Sequence, residues 1–119
     1  IMMGSIVAFT TGAIQLNATA HTTIPFNLRA RVTCRAVGAT TSANLMGQGV
    51  LTGVQFTRTA AQTDDANTPG AFLAPATAPA VGTGFDSTIS NILDFWTGFS
   101  ISDAANTVIV HQYTVKSLN

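Results

Sequence analysis

The feature that most constrains this 119-residue chain is a regular alternation of apolar and polar side chains between Phe26 and Val37. One set of alternate positions holds Phe26, Leu28, Ala30, Val32, Cys34 and Ala36, and the other holds Asn27, Arg29, Arg31, Thr33 and Arg35. A period of two is typical of a β-strand with one buried and one exposed side, because successive side chains leave a strand on opposite faces. The pattern predicts a strand with its arginines on the exposed face and with Cys34 as a small buried side chain.

Charged residues are scarce in this sequence. They make up 8% of the chain, against about 25% in an average soluble domain. The glutamates and lysines that normally coat helix surfaces are almost absent, which argues against helices. The net charge is zero, so a monomer would have little charge to keep its copies apart in solution. We therefore expect the chain to bury surface against copies of itself, and a monomer coated with Thr, Ser and Asn is the alternative.

Strand signals continue along the whole chain. The predicted strands are Ser5–Thr10, Ala13–Leu16, Phe26–Val37, Asn44–Arg58, Phe85–Ile89, Asn91–Ile101 and Thr107–Leu118. About seven or eight strands without a helix predict a single all-β domain over residues 1–119, an antiparallel β-sandwich or jelly-roll-like fold. The first residue is Ile1, and we expect the domain to be part of a longer protein.

The core of this domain is expected on the apolar face of the alternating strand and near the single tryptophan. Its predicted members are Leu28, Val32, Leu93, Phe95 and one of Trp96 or Phe99. A charge introduced by Val32→Asp should then prevent folding, because an unpaired buried charge costs more than a domain's margin of stability.

Residues 59–84 are predicted to form one long irregular loop rich in Pro, Gly, Ala and Thr. Loops of this length inside a compact domain usually have a function or are disordered. Phe72 and Leu73 lie in its middle, and a solvated loop has no reason to hold such an apolar pair. We expect the loop to lie along a neighbouring subunit or shell protein, with Phe72 as its anchor.

Candidate catalytic and metal-binding residues are few. His21 and His111 are the only histidines, and with scattered aspartates they lack the spacing of a metal site. Asp64 and Asp65 are adjacent and fit a solvated turn, and Asp94 fits the alternation of a strand. There is no GxSxG elbow or phosphate-binding glycine loop. The sequence therefore predicts no catalytic residue, no cofactor and no metal.

Partners other than protein are not indicated by charge or hydropathy. The stripe of Arg29, Arg31 and Arg35 lacks the flanking positive charges of a nucleic-acid surface, so we expect a polar sheet face or a subunit contact. No apolar run approaches the length of a membrane-spanning helix. We therefore predict no nucleic-acid partner and no membrane insertion.

Three stretches, in order, resemble a group of phage virion proteins. They are Leu28–Gly38, then Met46–Gly49, then Asn91–Trp96 with Ala104–Val108 and His111–Asn119. This order is similar to the surface β-domains at the ends of phage fibres, in tail appendages and in capsid decorations. The resemblance implies a jelly-roll-like sandwich that is often trimeric and lies exposed on the particle, and it supplies no catalytic residues. The long 59–84 segment departs from the shorter connection of that group.

The resulting expectation is a structural protein on the surface of a tailed-phage virion, at a fibre or appendage tip. Its partners would be copies of itself as a homotrimer, other virion proteins and a host glycan or receptor. A capsid decoration (cement) protein is one alternative. A carbohydrate-binding module is another, because Phe95, Trp96 and Phe99 could form a platform for sugars. An enzyme is not expected.

Overall fold

The computed structural model describes residues 1–16, 22–54, 56–57, 69–75, 77–78 and 81–118. Within these ranges the chain is all-β and has no helix, which confirms the predicted fold class. The strands are β1 (Met2–Met3), β2 (Ile6–Val7), β3 (Gln15–Leu16), β4 (Phe26–Ala36), β5 (Ala43–Val54), β6 (Phe56–Thr57), β7 (Pro69–Ala74), β8 (Gly82–Phe85) and β9 (Leu93–Asp94).

The main sheet is antiparallel and has the order β4-β5-β7. Strand β8 pairs with the first residues of β5, Ala43–Leu45, on the same side of β5 as β7. Its central ladder sets Leu28 opposite Leu51 and Val32 opposite Gly47. A bulge interrupts this ladder between Cys34 and Ala36. Strand β5 alternates buried and exposed residues over much of its length, because one of its faces lies on the core and the other faces solvent.

A second, smaller sheet of order β2-β1-β9 lies against the core face of the main sheet, so the arrangement is sandwich-like. The core cluster consists of Ala43, Leu45 and Phe85, with Met3, Ile6, Ala8 and Val32 packed around it. Leu45 is its most buried large side chain, at 2% exposure. Strands β3 and β6 form a separate pair.

Glycines in β5 allow other parts of the chain to cross the main sheet closely. A Cβ at Gly47 would lie 2.5 Å from the ring of Phe9, and one at Gly53 would lie 2.6 Å from the ring of Phe56. The absence of a side chain at these positions is what admits the rings. Met46-Gly47-Gln48-Gly49 is therefore a packing feature of a strand.

Asp86 ties the turn before β5 to the segment after β8. Its Oδ2 accepts a hydrogen bond of 2.8 Å from Thr40 N, and its Oδ1 accepts bonds from the backbone and side chain of Thr88. Gly38 N also donates to Ser87 Oγ at 2.8 Å. These bonds hold the two connections together at one end of the main sheet.

The predicted strand pattern is right for β4 and β5 and wrong at several other places. The segment 59–84 is not one irregular loop, since β7 lies within it and β8 begins in it, whereas 59–68, 76 and 79–80 lie outside the described residues. Pro69 begins β7 and Pro75 follows its last residue, at positions where a strand tolerates proline. Of the predicted strand Phe85–Ile89, only Phe85 lies in a strand, as the last residue of β8. Only Leu93–Asp94 of the predicted strand Asn91–Ile101 pairs.

The predicted core is also partly wrong. Leu28 and Val32 are half-buried, and Val32 contacts the core cluster. Leu93, Phe95, Trp96 and Phe99 are all exposed in the single chain. The reason is that the second sheet presents Met3 and Ile6 to the core, and the chain after β9 leaves it. The effect of Val32→Asp remains a prediction.

Cys34 is exposed and free, although its alternation predicted a buried position. It lies on the same face as Val32, but β4 is the edge strand of the main sheet, so little covers that face there. Alternation identifies a face of a strand and does not say how far the opposing layer extends over it.

Candidate functional site

The solvent face of the main sheet carries the predicted arginine stripe. Arg29, Arg31 and Arg35 are exposed and lie opposite the face of Val32, as predicted from the alternation. Across the ladder, Arg29 is opposite Val50, which in turn is opposite Leu73 of β7. This face therefore combines positive charge at the sheet edge with exposed apolar side chains towards its centre.

The arginines have few contacts in the described part of the chain. The Nη1 atom of Arg35 approaches Met46 Sδ at 4.0 Å, and no described carboxylate pairs with Arg29 or Arg31. Their participation in a subunit contact stays a prediction.

A row of aromatic rings crosses the opposite face of the sheet. The ring of Phe56 lies 6.5 Å from that of Phe26 and 6.4 Å from that of Phe72, and Phe95 stacks on Phe26 at 6.5 Å with an interplanar angle of 25°. These separations are in the range of favourable aromatic pairs. The row joins β4, β6 and β7 and holds the start of the C-terminal segment against β4. The shallow depression beside it, lined by Pro25, Phe26, Asn27, Thr52, Gly53 and Val54, is open to solvent.

Phe72 belongs to this row and is buried within its own chain, at 8% exposure. This burial leaves little of the ring to contact a neighbouring subunit, and the role of Phe72 as an anchor there stays a prediction. Strand alternation places Leu73 on the other face, where it is 54% exposed. Of the predicted apolar pair, only Leu73 presents side-chain surface to a partner.

The C-terminal segment, residues 95–118, is exposed at every position. Its exposed large apolar side chains are Phe95, Trp96, Phe99, Ile101, Val108, Ile109, Val110, Tyr113, Val115 and Leu118. Tyr113 is 83% exposed. After a turn at 103–106, closed by a hydrogen bond from Asn106 N to Asp103 O, the chain runs to residue 118 without another turn or bend. The structure assigns no strand to Thr107–Leu118, so that predicted strand is wrong for the single chain, and no strand among the described residues pairs with the segment.

The total surface area is also large for a chain of this mass. A folded monomer of 12.3 kDa should expose about 6,100 Å² by the scaling of surface with mass, whereas this chain exposes 8733 Å². The radius of gyration is 16.2 Å, against about 13.5 Å for a compact domain of this length. The excess is about 2,600 Å² over the whole chain, and the exposed segment 95–118 forms part of it.

Besides the exposed C-terminal segment, the outer edge of β4 is a second surface suited to binding a partner. β4 pairs with β5 on one side, and within the described residues no strand pairs with its other side. Its eleven residues form an edge about 36 Å long whose outward N–H and C=O groups pair with no described strand. Beside this edge the core face is thinly covered, since Ala30 and Cys34 are exposed and Leu28 and Val32 are half-buried.

The residues considered for catalysis or metal binding are spread along the chain. His111 is exposed, and His21, Asp64 and Asp65 lie outside the described residues. Among the residues that the structure does describe, no group of His, Cys, Asp or Glu is arranged to hold a metal ion, and none of the secondary structure is a helix long and apolar enough to cross a membrane. Asp94 is half-buried in β9, opposite Met2.

The chain matches no family model, no curated protein and no solved structure.

The sequence pattern identified the residues of β4 and of segment 107–118 separately. It did not indicate that one could pair with the other. It predicted strands at Phe26–Val37, where β4 lies, and at Thr107–Leu118, where the structure has an exposed segment without a turn or bend. The available signal was the scarcity of charge, which already indicated burial between copies. What could not be seen is that β4 would be an edge strand.

Proposed function

We propose that this chain is a structural protein that acts by assembling with copies of itself, on the surface of a tailed-phage virion. The observation that carries the assembly is the exposed apolar C-terminal segment, residues 95–118. A water-exposed row of Ile, Val, Phe and Trp side chains is unfavourable by about 25 cal/mol per Å² of apolar surface, so burial against another copy supplies a driving force. The role is structural rather than catalytic.

The low charge supports the same proposal. With 8% charged residues and zero net charge, electrostatic repulsion does not oppose association of identical copies. The arginine stripe Arg29, Arg31 and Arg35 lies on the solvent face of the sheet edge, where it limits which strands can align there. A homotrimer is the stoichiometry implied by the resemblance to phage surface β-domains.

The virion setting rests on that resemblance, carried by Leu28–Gly38, Met46–Gly49 and Asn91–Trp96. Within this setting, a fibre or appendage tip would face outwards and could contact a host glycan or receptor. A capsid decoration protein would instead be buried against shell subunits. Antibody labelling of intact particles in the electron microscope separates the two, because a tip is labelled at the end of an appendage and a decoration protein over the shell.

The assembly itself is tested by the mass of the purified chain in solution. Light scattering at micromolar concentration should give a multiple of 12.3 kDa, with three copies expected. A monomeric mass under these conditions would contradict the proposal.

Carbohydrate binding is the second candidate, favoured by the 70% exposure of Trp96. An exposed indole ring offers an apolar face for a sugar ring. Titration of the purified oligomer with envelope polysaccharides, followed by the fluorescence of Trp96, tests it. A saturable change that is lost in Phe99→Ala would support a sugar platform, and no change would leave these aromatics to assembly.

A further inference from the structure

We infer that residues 107–118 of one copy add as an antiparallel strand to the open edge of β4 in a second copy. This inference rests on the proposed self-assembly and names the two surfaces that would make it. β4 supplies an edge with no partner strand in the described residues, and 107–118 supplies an exposed segment with which none of the described strands pairs.

The two segments match in length. β4 has eleven residues and residues 107–118 run without a turn or bend, so both extend about 36–40 Å at the rise of a β-strand. An added strand of this length would satisfy the free N–H and C=O groups along the whole edge. Strand addition is a general way in which an exposed sheet edge binds a partner segment.

Alternation decides which side of the segment faces the core. One side holds Ile109, Tyr113 and Val115 with His111, and it has no Lys or Arg. The other side holds Lys116 with Gln112, Thr114 and the apolar Val108, Val110 and Leu118. Burying the side that carries Lys116 would place an ammonium group over the apolar face, at high cost. The side with Ile109, Tyr113 and Val115 therefore faces the core and covers the thinly covered face beside β4.

Charge decides the direction and the register. In a parallel arrangement of full length, Lys116 would stand beside Arg35, and like charges directly opposite one another destabilise a sheet. The full-length antiparallel arrangement instead places Lys116 beside Asn27. A shift of two residues would bring Lys116 beside Arg29, so the arginine stripe disfavours that slip.

This register makes specific neighbours. It sets Val115 beside Leu28, Tyr113 beside Ala30 and Ile109 beside Cys34. Tyr113 and Ile109 meet the small side chains of Ala30 and Cys34, so the added layer can fill space rather than crowd it. The segment thus continues the main sheet by one strand.

The test uses the exposed native Cys34, the only cysteine of the chain. Directly opposed residues in a sheet lie close enough for a disulfide. Under oxidised glutathione at micromolar concentration, Ile109→Cys should produce covalent links between copies on a non-reducing gel. Peptide mass spectrometry should locate the link between position 109 and Cys34. Val110→Cys, whose side chain lies on the other side, and the unchanged chain are the matched controls.

A second pair avoids the bulge next to Cys34. Ala30→Cys combined with Tyr113→Cys in a Cys34→Ser background should cross-link copies in the same register. The inference is supported if these variants link copies at least tenfold more than the Val110→Cys control.

The contrary outcomes are distinguishable. An oligomer by light scattering that links no more in Ile109→Cys than in Val110→Cys overturns the strand addition and leaves self-assembly standing. A monomer with an intrachain disulfide shows that the segment folds onto its own β4, which overturns the second copy as the partner. A monomer without a disulfide contradicts both the inference and the proposed function.

Discussion

Phe9 occupies the space that a side chain at Gly47 would need: a Cβ built on Gly47 would lie 2.5 Å from Phe9 Cδ1. The backbone oxygen of Ala8 lies 3.0 Å from the same point. The N-terminal segment can therefore cross the main sheet only where β5 lacks a side chain.

Gly47→Ala should for this reason destabilise the fold by about 1–3 kcal/mol, the usual cost of adding volume to a packed site. Urea unfolding followed by circular dichroism measures the change. Gly98→Ala is the matched control, because a Cβ there would meet no atom within 4 Å. Equal stability of the two variants would show that Phe9 does not pack on Gly47.

Leu45→Ala should cost about 2–5 kcal/mol, the range for removing a fully buried leucine side chain. Leu45 lies in the core cluster with Ala43 and Phe85. The half-exposed Leu16 provides the control, and Leu16→Ala should have a clearly smaller effect on the free energy of unfolding. The core assignment fails if the order of the two is reversed.

Phe72→Ala should destabilise the protomer itself, by about 3–5 kcal/mol. Its ring is buried in the same chain and contacts Phe56. Leu73→Ala, on the exposed face of the same strand, should change stability much less. If Phe72→Ala unfolds like the unchanged chain and only dissociates the oligomer, Phe72 is an intersubunit anchor after all.

Asp86 predicts a specific pH dependence. The hydrogen bond from the Thr88 side chain, with those from the Thr40 and Thr88 backbone, lowers the pKa of Asp86 below its ordinary value. A lowered folded-state pKa means that the contribution to stability is present above the unfolded pKa, about 3.9, and is lost as the pH falls through the folded value.

The stability difference between the unchanged chain and Asp86→Asn should therefore shrink as the pH falls below about 4. Urea midpoints measured at intervals between neutral and strongly acidic pH provide the comparison. A difference that stays constant over that range would show that the carboxylate charge does not matter to the turn.

The long alternation from Phe26 to Ala36 was enough to predict β4, its two faces and its arginine stripe, because period two is a direct consequence of strand geometry. β7 was missed because Pro69 and Pro75 suggest a loop, while the strand that begins at Pro69 is only six residues long. The exposure of Trp96 and Phe99 could not be predicted, since burial depends on which layer covers a strand. The sequence pattern indicates that residues 107–118 are suited to a strand, but a pattern does not specify which chain provides the partner.

We expect the C-terminal segment to be covered by a second copy in the assembled protein. Amide hydrogen exchange of residues 107–118, measured by mass spectrometry over a series of protein concentrations, shows whether it is. The expected result is slow exchange at high concentration, comparable with β5, and fast exchange on dilution as the copies separate. Fast exchange of residues 107–118 at every concentration, while β5 stays protected, would contradict it.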